Sequence, residues 1–140
     1  MARRAVIDAV EARLAEHWTR CPVIGINTAQ ADPPADGSEY LVVQYPVANN
    51  DQRSIGAPEG NIFREEGAIR FVLHGRRGYG VADYLDWCEE LAALFRAKDF
   101  GGMTSYAPSS PAIDDLEHGA YILLSFACPY KHDLIAPSGG

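Results

Sequence analysis

The 140 residues contain only three cysteines. Cys21, Cys88 and Cys128 stand far apart, with no Cys-x-x-Cys pair among them. An odd count at such spacings argues against a disulfide framework and for reduced, buried thiols in a cytosolic protein. Basic residues are also scarce, 12 Lys and Arg against 19 Asp and Glu, for a formal net charge of −7. A general nucleic-acid binder needs a basic footprint for the phosphates, and docking on anionic lipid needs one for the headgroups. No apolar run is long enough to span a membrane. The opening stretch MARRAVIDAVEARLAEHW has charges but neither an apolar core nor a cleavage site, so it is not a signal peptide. The expectation is an intracellular protein, or one released by lysis.

Catalytic motifs are absent as well. The histidines, His17, His74, His118 and His132, form no HExxH and no i, i+4 ligand pair. There is no GxSxG. The Gly75-Arg76-Arg77-Gly78-Tyr79-Gly80 turn lacks the lysine and hydroxyl of a P-loop, and Gly78-Tyr79-Gly80 is not followed by the third glycine of a dinucleotide fingerprint. Asp114, Asp115 and Glu117 read as a polar hairpin tip, and Glu65-Glu66 as a solvated bend. The aromatics are not interleaved with bases, which argues against single-strand stacking. No repeat appears at a solenoid or propeller period.

The strongest pattern present runs from Gly67 to Phe100. Ile69, Phe71 and Leu73 alternate with Arg70, Val72 and His74, the two-residue period of a strand with one apolar face. After Gly80 the period changes. Val81, Tyr84, Leu85, Cys88, Leu91, Ala92 and Phe95 recur at three and four, the stripe of an amphipathic helix. Gly101-Gly102 is expected to end it. Trp87 lies off the main stripe, as a partly buried flank residue or an interface anchor. Val6, Val10, Leu14 and Trp18 mark an earlier helix over Arg3–Thr19, stopped by Pro22 and expected to pack on the same sheet.

Val23–Gly37 reads as a connection and Tyr40–Tyr45 as a strand that Pro46 ends. Pro46–Asn61 reads as a long polar loop, functional or ordered by a partner. Asn61–His74 is the returning strand, with a bulge near Glu65–Gly67. Met103–Ala107 and Ala120–Tyr130 are further strands, the last apolar on both faces and therefore mid-sheet. The expected fold is α+β in the order α-β-β-α-β-β. It is an antiparallel or mixed sheet of about four main strands with two helices on one face. Residues 1–133 form one domain, with 134–140 as a flexible tail. A chain of this length can bury roughly 68–70% of its unfolded surface without disulfides.

The organisation from about Val6 to His132 resembles the tail terminator (tail completion) proteins of long-tailed bacteriophages and of phage-like gene transfer agents. The features that carry it are the N-terminal helix, Pro22, the Asn27…Pro33-Pro34 segment and the strand YLVVQYPV with its polar loop. EEGAIRFVLHGRRGYGVADYLDWCEELAALF is the nearest local match, followed by a Gly-Met-Thr strand and a closing PYKHD. The resemblance implies a virion structural protein, not an enzyme, with no cofactor, metal or catalytic residue. It implies a hexameric ring on the head-proximal end of the tail tube, which ends tube polymerisation and meets the head connector. Assembly would take place in the bacterial host cytoplasm, and DNA would pass through the lumen without sequence-specific contact. Partners would be further copies of the chain, the tube protein and the connector or stopper, with no membrane.

Asn49, Asn50, Asp51, Gln52, Arg53 and Arg64 around the polar loop, and Arg76, Arg77 and Tyr79 in the glycine turn, are the expected contact residues. The acid-only stretch Cys21–Asp51 and the base-rich stretch Arg53–Arg77 would supply complementary faces between subunits. The alternatives are another neck or stopper protein, or a small anion- or phosphometabolite-binding domain or enzyme. In the latter, Arg76 and Arg77 would hold the ligand and Tyr79 would flank it.

Overall fold

The computed structural model describes residues 2–25, 34, 36–54 and 60–136, without the side chains of 115–118 and 136. The four-residue apolar stripe at the start winds into α1 (Arg4–His17), and the stripe after Gly80 into α2 (Ala82–Phe95). Between them lie β1 (Val23–Ile24), β2 (Tyr40–Gln52) and β3 (Asn61–Arg76). After α2 come β4 (Asp99–Phe100), β5 (Met103–Ser105), β6 (Ala112–His118) and β7 (Tyr121–Ala136). All seven strands join one sheet in the order β1-β2-β3-β7-β5-β4, with β6 also paired to β7. Among the described residues only the β1–β2 pair is parallel, so the sheet is mixed. The class is α+β as expected. The sheet has seven strands where about four were expected, and short strands enter on both sides of α2.

Strand alternation fixes which side carries the core. Leu41 and Val43 on β2, Phe71 and Leu73 on β3, and Leu124 and Phe126 on β7 lie in matched register and are buried. Val6, Val10 and Leu14 of α1 and Tyr84, Cys88, Leu91 and Phe95 of α2 complete the same cluster, so both helices cover one face. Each such aliphatic or aromatic side chain contributes about 1.5–3 kcal/mol on burial, which makes this layer the main stabilising feature. Cys88 and Cys128 are both core residues, as their places in the pattern indicate. β7 lies mid-sheet, between β3 and the β5 and β6 segments.

Several local expectations are corrected. Pro46 does not end β2. The register passes from Gln44↔Arg70 to Val47↔Ala68, so Tyr45-Pro46 forms a bulge that absorbs the missing N–H, and the ladder continues to Gln52. Pro46–Gln52 and Asn61 of the expected polar loop are therefore strand, and residues 55–59 at its tip lie outside the described residues. The bulge expected in β3 near Glu65–Gly67 sits on β2 instead, while β3 pairs with β7 without a break. Gly101 and Gly102 do not end α2, which stops at Phe95. Their φ angles of 55° and 79° make the two-residue turn between β4 and β5.

The expected Asp114–Gly119 turn is mostly strand, since β6 runs to His118. β7 also passes the point where a tail was expected. Leu134 and Ile135 pair with Phe63 and Ile62, and the ladder reaches Asn61↔Ala136. In the Val23–Gly37 connection, Val23–Ile24 pairs with Leu41–Val42; residues 26–33 and 35 lie outside the described residues.

Candidate assembly interface

The distal ends of β2, β3 and β7 form an arm that carries Asn49–Arg53 and Arg64. A buried polar knot holds its base to α1. Glu65, expected in a solvated bend, is 1% exposed. Its Oε2 accepts a 2.6 Å hydrogen bond from Tyr130 Oη, and its Oε1 accepts one from the Arg3 backbone N–H at 3.1 Å. Arg3 is the N-cap of α1 and makes no side-chain cap, and the first turn contains no acid. A carboxylate 62 residues away thus serves the positive end of the helix. The Arg3 guanidinium then reaches outward, donating to Asn50 Oδ1 at 2.8 Å, to Phe63 O at 3.2 Å and to His132 O at 3.1 Å. His132 Nδ1 lies 2.9 Å from Arg3 Nη1, which requires that nitrogen to be the acceptor.

The arm's charges pair mostly within the chain. Arg53 Nη2 meets Glu66 Oε1 at 2.7 Å, and its Nε lies 3.6 Å from Asp51. Arg64 grips Asp133 with both nitrogens, at 2.7 and 3.0 Å. That fork is the main reason the Asp133 carboxyl is held below its ordinary value. Asn49 and Gln52 are exposed on either side of the ladder, and Gln52 Nε2 donates to Ser54 O at 2.9 Å.

The glycine turn is likewise tied down. Gly75 has no Cβ because the Tyr84 ring lies where one would be, 2.6 Å away. Tyr84 Oη accepts from Arg76 N–H at 2.9 Å and donates to Glu39 Oε2 at 3.0 Å, while Arg76 Nε reaches Glu39 Oε1 at 3.1 Å. Arg76 also lies over the Tyr79 ring. Arg77 donates to Tyr121 O at 3.1 Å. Tyr79 is 69% exposed. Acids and bases expected to meet between subunits, Glu39 with Arg76 and Asp51 with Arg53, already meet inside one chain. Arg76 is therefore poorly placed to seize a free anion.

The face of the sheet away from the helices was not singled out in the sequence. Its proximal end is closed by Tyr40, stacked on His74 at 4.0 Å and set edge-on to Tyr121, and by buried Val72. The distal half is open. Val47, Ala68 and Pro129 lie in one register across β2, β3 and β7. Tyr106 continues that row, its N–H donating to Pro129 O at 2.9 Å. Val47 is 49% and Tyr106 43% exposed. The next rows are polar, Gln44–Arg70 on one side and Asn49–Glu66–Lys131 on the other. Val47 and Tyr106 sit within polar stretches of sequence, and only the register reveals that they share a row.

Among the described residues, no group of three His, Cys, Asp or Glu side chains is placed to hold a metal ion, and no helix is long and apolar enough to cross a membrane. Burial pushes the Cys21, Cys88 and Cys128 thiols up to about 11, far from the range of a reactive thiolate. A groove of about 380 Å³ lies between α1 and the following segment, lined by Leu14, Trp18, Cys21 and Pro22 among others. None of its lining residues belongs to the glycine turn. Trp87 is a partly buried flank residue, edge-on to Trp18 and Tyr84.

A solved structure matches this fold over 99% of each chain with a TM-score of 0.62 and 19% identity, a likeness that shows the fold alone. No match is found among curated proteins. The family model described as phage tail terminator protein matches residues 5–123, from the first helix into β7. The chain belongs to the phage tail terminator family.

Proposed function

We propose that this protein forms a ring, a hexamer in the first instance, on the head-proximal end of a tail tube. There it ends tube growth and presents a surface to the head connector. The observation that carries this reading is the family match over residues 5–123, which takes in both helices and strands β1 to β6. The architecture supports it. Helices cover one side of the sheet and the distal half of the other side is open, so the two sides are unlike. Unlike sides are what a head-to-tail ring requires. The Asn49–Arg53 and Arg64 arm and the Tyr79-bearing turn are candidate contacts with the tube, the connector or a neighbour. The role is structural, without a catalytic step or cofactor. A phage virion and a phage-like gene transfer particle both fit it.

Light scattering over a concentration range, with negative-stain images of the largest species, tests the ring. Rings of about six subunits are expected. A protein that is monomeric alone and also fails to form rings on tail tubes would overturn the reading. A neck or stopper role would show instead as binding to the connector without any effect on tube length.

A further inference from the structure

We infer that Arg3 and His132 form a pH-sensitive latch, which holds the arm of β2, β3 and β7 against α1 at neutral pH and lets it go in mild acid. The latch lies within one chain and is independent of the ring proposed above. A single residue ties every strand of the arm to the helix. The Arg3 guanidinium donates to Asn50 Oδ1 on β2, to Phe63 O on β3 and to His132 O on β7, and its backbone N–H donates to Glu65 on β3. Beyond the Asn50–Glu65–His132 row the arm has open edges among the described residues. β1 pairs only with Leu41 and Val42, and β5 reaches no farther along β7 than Met103↔His132. β2 also enters the arm across the Tyr45-Pro46 bulge, where its ladder is interrupted.

Histidine is the side chain that gains a charge between neutral and mildly acidic solution. In the latch the Nδ1 of His132 carries no proton, because it accepts from Arg3 Nη1 at 2.9 Å. A proton there sets donor against donor and cation against cation, on a buried ring. The surrounding groups do not compensate. From α1 the ring faces Arg3 and the positive end of the helix. From β3 it faces Glu65, whose oxygens are already taken by Tyr130 Oη and the Arg3 N–H, with Arg3 Nε 3.8 Å away. Among the described residues His132 forms no ion pair with a carboxylate. Asn50 on β2, Met103 on β5, Gly102 in the turn before it and Phe100 on β4 are uncharged. On β7 itself Lys131 and Asp133 point to the other face of the sheet, and Asp133 is bound to Arg64. Protonation therefore expels the guanidinium, and the three strands lose their shared donor. The part that loosens carries Asn49–Arg53 and Arg64, the candidate contacts.

Hydrogen exchange of the full chain tests this, read at about pH 7.5 and about pH 5.5, with each rate divided by its intrinsic value at that pH. His132→Asn is the decisive variant, because its Oδ1 can take the place of the accepting nitrogen and gains no proton in this range. In the wild type, amides over residues 49–52, 61–65 and 133–135 should lose protection about tenfold at the lower pH, while the core strands keep theirs. In His132→Asn the arm should stay protected at both pH values. Arg3→Met has no latch, so its arm should exchange quickly at both. Circular dichroism checks folding, and if His132→Asn does not fold, Arg3→Met decides alone. The latch is overturned by a wild-type arm whose protection does not change, or by an acid-induced loss of the same size in either variant. It is also overturned by an Arg3→Met arm as protected as the wild type. None of these results bears on the ring.

Discussion

Tyr130 Oη donates to the buried Glu65 carboxylate at 2.6 Å across the central strand pair, and Gly67 makes the approach possible. Gly67 is the cross-strand neighbour of Tyr130. A Cβ there would lie 2.8 Å from Tyr130 Oη and would overlap the Val47 carbonyl oxygen. Gly67→Ala must therefore displace the β2 backbone next to the bulge, a cost of about 1–3 kcal/mol by analogy with overpacked cores. Urea denaturation should show a lower midpoint with an unchanged slope. An unaltered midpoint would mean that the strands part more easily than this geometry allows.

Tyr130→Phe removes a donor and leaves the carboxylate buried. Burial and Glu65 itself both hold the Tyr130 hydroxyl well above its ordinary value, so the proton stays on the ring oxygen at working pH. Losing that hydrogen bond should destabilise the fold by about 1–3 kcal/mol, the cost of an unsatisfied buried group. The effect should be strongest at the arm, because Arg3 links the same carboxylate to Asn50 and Phe63. Hydrogen exchange should quicken over residues 61–65 before the core strands. Uniform exchange across β3 would contradict a local latch.

The buried thiols give an alkaline dependence. Folded Cys88 and Cys128 keep their protons up to about 11, whereas an unfolded thiol releases its proton near 9.0. A raised folded pKa means that the stabilisation is fully present below about pH 9 and is lost as the pH rises toward 11. Between pH 8 and pH 10 each thiol should cost on the order of 1 kcal/mol of stability. Cys88→Ala should be less stable throughout but should lose less between those two pH values. Parallel curves for variant and wild type would refute the assignment.

The Arg64–Asp133 fork gives an acid dependence of opposite sign. Its folded carboxyl titrates below the ordinary value, chiefly through the Arg64 hydrogen bonds. Its stabilisation is present above the ordinary Asp pKa, about 3.9, and is lost as the pH falls below it. Asp133→Asn should be less stable than the wild type near neutrality, and the gap should close in strong acid. A gap that widened there would place the charge pairing elsewhere.

Much of the core was legible because alternation and the four-residue stripe are dictated by burial. Leu73, Phe71 and Ile69 face inward as their spacing requires, and Tyr84, Cys88 and Phe95 meet them. The ends of elements were less legible. Pro46 looks like a strand terminator until a bulge removes the need for its N–H, and Gly101-Gly102 looks like a helix stop although it forms a hairpin turn. Glu65 has a polar neighbour in sequence, Glu66, that faces solvent. Only the sheet register shows that Glu65 faces Arg3 and Tyr130 instead. The expected contact residues fall into two clusters, the arm and the glycine turn, and their charges find partners within the chain that sequence distance hides.

The measurement that bears most directly on the central claim is the length and end structure of tail tubes grown from the cognate tube protein with and without this chain, read by negative-stain microscopy. Tubes grown with it should stop elongating and carry a ring at one end, and added tube protein should not extend them. Tubes that grow equally long, with bare ends and unbound protein in solution, would contradict a terminator.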